Sequence, residues 1–316
     1  MNLNRDLMRG CAILLLALAA ERAWGEEDNA AAKPLLGCWK EEKSGEVYRF
    51  EKEKVYIGVG THLTIGHARY EAGKVELDFM GQKLEYAFSV KDGLLTLQSG
   101  KESSTCRKLD TVPPEVNPQP LALPAAPKLE DGEVAKIQAD LAQRVEVDQK
   151  ARNEMIKAMQ GKPPEPGDEK AQALQQKLGL EMAQIDADNT SHLVELVQRV
   201  GWIDATRFGA KTANAAFLLV QHSMKLSLML AALPEIEKDV KAKVIGGDAY
   251  ALLYDRLQMY LGEKQKYGTQ VLSDNNKDWK VYDLQDPAKV DEYRKEMGLM
   301  PLADYLKLIK STYGGK

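Results

Sequence analysis

The chain has 316 residues, with 43 basic and 47 acidic side chains and a net charge of −4 at neutral pH. No basic block occurs anywhere along it, which leaves binding to nucleic acid or to an anionic membrane without electrostatic support. The length is enough for two domains.

The first element reads as an export signal. Arg5 and Arg9 form a basic start, Cys11 to Ala20 is an apolar run of ten residues, and Ala23-Trp24-Gly25 offers small residues for cleavage. The run is too short to span a bilayer, so residues 1–25 are expected to be a signal peptide. The alternative is an uncleaved N-terminal anchor. Cys11 follows Met8-Arg9-Gly10, which lacks the apolar and small residues of a lipid-attachment site. The mature protein is expected to be soluble, periplasmic or secreted, with no stable membrane anchor. Cleavage removes Arg5, Arg9, Arg22, Asp6 and Glu21, leaving 40 basic and 45 acidic side chains. Two cysteines remain, Cys38 and Cys106, and an even count in an exported chain predicts a disulfide between them. Two separate buried thiols are the alternative.

Residues 34–110 alternate apolar and polar side chains: Val55 and Ile57, then Val75, Leu77 and Phe79, then Leu84, Tyr86, Phe88 and Val90, then Leu95 and Leu97. Ser44-Gly45, Ala72-Gly73, Met80-Gly81 and Asp92-Gly93 supply turns between them. Period-two runs with regular turns predict about eight antiparallel strands, in a small up-and-down barrel or rolled meander. Closing the barrel makes its first and last strands neighbours, which is the geometric reason for Cys38 to meet Cys106. Leu36-Gly37-Cys38-Trp39 resembles the opening of small lipocalin-like β domains. Trp39 is expected to plug the core. His62 and His67 are expected in an exposed loop, with no convincing further ligands for a metal.

Thr111 to Pro127 holds six prolines, so residues 111–130 are expected to be an extended, semi-rigid linker. Residues 131–316 are expected to be helical. Val134, Ile137, Leu141 and Val145 begin a helix that runs to about Gln160. A proline-rich break, Gly161 to Gly167, separates it from a second helix, about Glu169 to Val200. A third helix is expected from Thr212 to just before Pro234, then a short fourth, and a fifth over Ala249 to Leu261. Thr269–Leu272 and Trp279–Tyr282 flank Asp274-Asn275-Asn276 and predict a small β-hairpin. Two helices close the chain, Pro287 to Met297 and Pro301 to about Ile309. The fold class is therefore α+β with two domains: a small antiparallel β-barrel or meander, then a mainly α-helical domain with a small β-hairpin.

Polar side chains fall on stripes of the helical domain that should face a core. His222 shares a face with Leu218, Leu219 and Leu226, and Gln221 lies on the adjoining stripe. Arg256 shares its face with Leu252, Leu253, Met259 and Tyr260, and Asp255 sits beside Ala251 and Met259. Asp186 with Asn189, and Asp291 with Arg294, are pairs three residues apart. Buried polar groups need partners, so these residues are expected to meet beneath Tyr267-Gly268-Thr269-Gln270.

The stretch from Asp148-Gln149 to Tyr305 resembles a bacterial domain family, domain of unknown function 6624. The resemblance rests on Asp186, Asn189-Thr190, Gly201-Trp202, Gln221-His222, Asp255-Arg256, Gln265 with Tyr267-Gly268-Thr269-Gln270, Asp291 with Arg294, and Gly298-Leu299 with Pro301-Leu302. It implies no known activity. Family members often continue Gln-His with a small residue and an aspartate. Here Ser223-Met224 follow, so an aspartate-dependent metal site of that kind is missing.

Three readings of the network follow. It is a structural lock, a binding site for a small polar or peptide-like ligand, or the centre of an extracytoplasmic hydrolase. In the binding reading, Gln221, Arg256, Tyr267, Gln270, Asp186, Asn189, Asp291 and Arg294 hold the ligand. In the catalytic reading, His222 is the acid-base and Asp255 its orienter, while Arg256 and Gln270 hold an anionic or amide group. No serine or cysteine stands at a nucleophile elbow. His192 is expected to face solvent, and Asp186-Ala187-Asp188 lacks the rest of a calcium loop. No cofactor or metal is expected. The leading expectation is a ligand-binding or envelope-scaffold role.

Overall fold

The structure, a computed structural model, describes residues 28–59, 62–160, 169–273 and 279–313. The expected signal peptide, the Gly161–Gly167 break and the Asp274-Asn275-Asn276 turn lie outside the described residues. The chain divides into two compact units, one mainly β and one mainly helical.

The β unit opens with a short helix, α1 (Asp28–Ala32). Eight strands follow: β1 (Gly37–Glu41), β2 (Val47–Phe50), β3 (Lys54–Val59), β4 (His62–Glu71), β5 (Lys74–Phe79), β6 (Gln82–Lys91), β7 (Leu94–Ser99) and β8 (Glu102–Leu109). Each pairs antiparallel with the next, and β1 also pairs with β8, so the sheet closes into a barrel as the alternation implied. One set of alternate side chains points inward. Trp39, Phe50, Val55, Ile57, Ala68, Tyr70, Val75, Leu77, Leu95 and Leu97 fill the interior. Trp39 is fully buried and its Nε1 donates to the Leu35 carbonyl at 2.7 Å, so it is the expected core plug. Gly66 has no room for a side chain, because a Cβ there would lie 2.5 Å from the Phe79 ring. His62 and His67 are exposed, but both belong to β4 rather than to a loop.

The predicted Cys38–Cys106 disulfide is not formed; both thiols are free and buried. The strands are neighbours, but the register opposes Cys38 to Leu109 and Cys106 to Glu41. The two cysteines are thus offset by three positions along the pair. An odd offset also puts them on opposite faces of the sheet, Cys106 inside with the core and Cys38 outside. An offset of three residues is about 10 Å along a strand, beyond the reach of a disulfide.

The proline segment is less free than expected. Its first part forms a short 3-10 turn, Pro114–Val116, where Val116 is fully buried and its carbonyl accepts from Arg49 Nη1 at 3.1 Å. In the helical unit, Leu121 N donates to Ser227 O at 2.7 Å.

The helical unit contains α2 (Asp131–Gln160), α3 (Glu169–Val200), α4 (Ala205–His222), α5 (Leu226–Lys241), α6 (Gly247–Tyr260), the two-stranded hairpin β9 (Val271–Ser273) and β10 (Trp279–Val281), α7 (Val290–Glu296) and α8 (Leu302–Tyr313). Helices α2 and α3 run antiparallel, and α4 packs against both. Asp204 caps α4 by accepting from Arg207 N at 3.0 Å. Buried Phe208, Ala213, Ala216, Phe217 and Val220 face its neighbours. The single third helix expected over residues 212–233 is two helices. Ser223 is extended (φ −74°, ψ 150°), so the chain leaves the helix directly after His222. Pro234 lies inside α5 instead of ending a helix. Proline fits helical φ and forfeits one hydrogen bond, which the buried side chains of Leu228, Met229, Ala232 and Ile236 offset.

Candidate functional site

The polar residues gather into two groups with different character. The first is closed. Asp255 on α6 is fully buried, and its carboxylate accepts from Lys266 N (2.8 Å), Tyr267 N (3.0 Å), Thr269 N (2.9 Å) and Thr269 Oγ1 (2.9 Å). One side chain thereby holds the turn after α6 in shape. Gln265, also fully buried, donates to Gln270 O at 2.9 Å and Tyr282 O at 2.7 Å, and accepts from Gln270 N at 2.9 Å.

Arg294 closes the other side of this turn. Its Nη1 donates to Tyr267 O at 2.7 Å and its Nε to Met300 O at 2.6 Å. The guanidinium lies 4.8 Å from the Tyr305 ring centre, and the Tyr305 hydroxyl donates to Thr269 O at 2.9 Å. Gly268 has φ +65°, and a Cβ there would stand 3.0 Å from Leu302 Cδ1, so glycine is required. Tyr267 packs edge-on against Tyr250 and Tyr254. Asp291 accepts from Leu302 N at 2.7 Å and caps α8. Asp255, Tyr267, Gln270, Asp291 and Arg294 are therefore committed to internal hydrogen bonds, and this half of the network is a structural lock. Arg256 ties it to α4: Nε donates to Gln270 Oε1 at 3.2 Å and Nη1 to the Gln221 carbonyl. That carbonyl is one of the last in α4, where no helical donor remains.

The second group lies where α2, α3 and the end of α4 converge. Asp148 on α2 is fully buried, seven residues after Leu141 and eleven after Ile137 on the same core-facing stripe. His222, the last residue of α4, brings Nδ1 to 3.0 Å from the Asp148 carboxylate. Arg152, one turn along α2, points its Nε at Asp148 (3.2 and 3.3 Å) and at His222 Nδ1 (3.0 Å), and its Nη2 donates to Asp186 on α3. The side chains of His222, Asp186 and Arg152 retain 15%, 22% and 23% exposure, so the group opens to solvent above a buried carboxylate. His222 Nε2 has no hydrogen-bond partner among the described residues.

The expected pairing of His222 with Asp255 is therefore corrected. Asp255 is used up by the turn, and Asp148 orients the imidazole instead. Asn189 is buried one turn beyond Asp186, and its Oδ1 accepts from Arg144 at 3.1 Å. Gln221 is buried, with Nε2 3.4 Å from Leu252 O. His192 is half-buried and lies 2.7 Å from Asp140, rather than facing solvent alone. Asp148 and Arg152 are the residues that sequence reasoning missed. Their signal is legible in retrospect: Asp140, Arg144, Asp148 and Arg152 alternate in sign at strict four-residue spacing, and Asp148 interrupts an apolar stripe.

The two carboxyls of this group are pushed in opposite directions. Burial raises the Asp148 carboxyl, but the hydrogen bond and charge of His222 and the Arg152 guanidinium outweigh it and hold it below the ordinary value. Burial dominates at Asp186 and raises it, with Arg152 offsetting only part. One carboxyl that stays ionised beside one that protonates more readily is an arrangement suited to proton handling. Asp148, Asp186 and His222 also offer three ligand atoms, all within 4.8 Å of one another.

Among known families, the model described as "Family of unknown function (DUF6624)" matches residues 135–316. No curated protein and no solved structure matches the chain.

Proposed function

Because the chain belongs to this family of unknown function (DUF6624), whose description assigns no activity, we propose from the site itself that the helical unit binds a small polar or peptide-like ligand at Asp148, Arg152, Asp186 and His222, in an exported, periplasmic or secreted protein. The carrying observation is the convergence of four ionisable side chains from three helices on a partly open point. Convergent polar groups over a buried floor suit a ligand more than a packing contact. The test is titration of the full chain with free amino acids and with Ala-Ala and Ala-Glu dipeptides, followed by imidazole NMR. A saturable shift of the His222 resonances supports the reading. Unchanged resonances at millimolar probe, or a response retained in Asp186→Asn and Arg152→Gln, overturn it. Amino-terminal sequencing of exported material tests the leader, and a first residue of Met1 refutes cleavage.

A second reading, an extracytoplasmic hydrolase with His222 as acid-base, is favoured by one observation. The buried Asp148 carboxylate holds Nδ1 while Nε2 stays open, the geometry of a base with its orienter. In that case the same dipeptides are cleaved, and His222→Gln removes turnover without lowering the melting temperature.

A further inference from the structure

The second group is organised around one guanidinium, and Asp148 also accepts from Gln149 Nε2 at 2.8 Å. The single Arg152 Nε–H is shared among Asp148 Oδ1, Asp148 Oδ2 and His222 Nδ1, at 3.2, 3.3 and 3.0 Å. His222 Nδ1 is itself 3.0 Å from the Asp148 carboxylate. If Nδ1 carries the proton it donates to Asp148, and Arg152 then has no lone pair to meet there. If Nδ1 is bare, its lone pair faces a carboxylate. In either tautomer the carboxylate lone pairs of Asp148 and Asp186, with Nδ1 of His222, converge on the place the guanidinium occupies. Before the imidazole is counted, the two carboxylates and one guanidinium sum to a formal charge of about −1.

We propose that Asp148, Asp186 and His222 bind a divalent transition-metal ion, with Arg152 as the internal cation that the metal displaces. This deepens the ligand-site reading given above and rests on it. The three ligand atoms lie within 4.8 Å of one another and come from three different helices. Ligands on a common zinc-sized ion are about 3–4 Å apart, so the closure needed is about 1 Å. Two carboxylate oxygens with one imidazole nitrogen suit zinc or manganese, whereas magnesium and calcium prefer oxygen alone. The metal site does not depend on an aspartate at position 224, where this chain has Met224.

The test is calorimetric titration of the full, untagged, chelator-stripped chain with zinc chloride, repeated with magnesium chloride. Zinc is expected to bind at one equivalent, with affinity falling by about tenfold or more in Asp186→Asn and in His222→Ala. Arg152→Met is expected to bind zinc more tightly than the natural chain. Circular dichroism melts show that each variant is folded. His62→Gln with His67→Gln removes the exposed barrel imidazoles and should change nothing. Zinc binding lost in that double variant but kept in His222→Ala overturns the proposal, as does absence of zinc binding at millimolar concentration, or equal affinity for magnesium. A chain that binds dipeptides without zinc refutes the metal inference alone; one that binds neither refutes the ligand site as well.

Discussion

His222 Nδ1 lies 3.0 Å from the carboxylate of Asp148, although the two residues are 74 positions apart in the chain. This fully buried carboxylate is compensated by one imidazole, one guanidinium and the Gln149 amide, whose Nε2 donates to it at 2.8 Å. Asp148→Ala leaves Arg152 and His222 without their shared acceptor and opens a small void. It is expected to destabilise the helical unit by about 3 kcal/mol, measured by urea unfolding. His222→Ala, at the open rim, is expected to cost about 1 kcal/mol or less. Equal losses in the two variants would contradict the picture of a buried floor and an open rim.

The Asp255 turn makes a separate prediction. Asp255→Ala strands three backbone N–H groups and a hydroxyl, and a loss of about 3 kcal/mol is expected. The readout is hydrogen exchange at Lys266, Tyr267 and Thr269, whose amides should lose protection while those of Leu193 and Val197 on α3 keep theirs. Gly268→Ala should act in the same direction, through its positive φ and the contact with Leu302.

The pH dependence carries two opposite signs. The folded Asp148 carboxyl titrates below its unfolded value of 3.8, so the unfolded state binds more protons there. Its contribution is present above that value and is lost as pH falls through the folded one. Asp186 is raised above 3.8, so its contribution is present below that pH and is lost as pH rises through the folded value. Asp148→Asn should flatten the acid limb of stability against pH. Asp186→Asn should remove the decline just above 3.8. Unchanged profiles in both variants would remove the electrostatic assignment.

The two thiols of the barrel should be silent in the native protein. Burial raises both, Cys106 to about 12, so neither supplies thiolate at neutral pH. An Ellman assay should find Cys38 and Cys106 unreactive when native, and both reactive after denaturation without reductant. Reductant should leave the melting temperature unchanged. Thiols that stay unreactive after denaturation would restore the disulfide.

The amino-acid order alone determined the periodicities. Alternation from Val55 to Leu97 implied a small barrel or rolled meander, and the repeat of Val134, Ile137, Leu141 and Val145 implied a helix with one buried face, because burial acts locally at each residue. It also marked His222, Asp186, Asp255 and Arg256 as polar groups on core-facing stripes. Partner choice depended on tertiary structure. Whether His222 meets Asp255 or Asp148 turns on the break at Ser223 and on α2 lying antiparallel to α3, both set by packing between distant segments. Cys38 and Cys106 teach the same lesson in the barrel: neighbouring strands were foreseeable, but a register offset of three residues put the sulfurs on opposite faces. Spacing along a chain reports which face a side chain takes, and only the assembled core decides what that face meets.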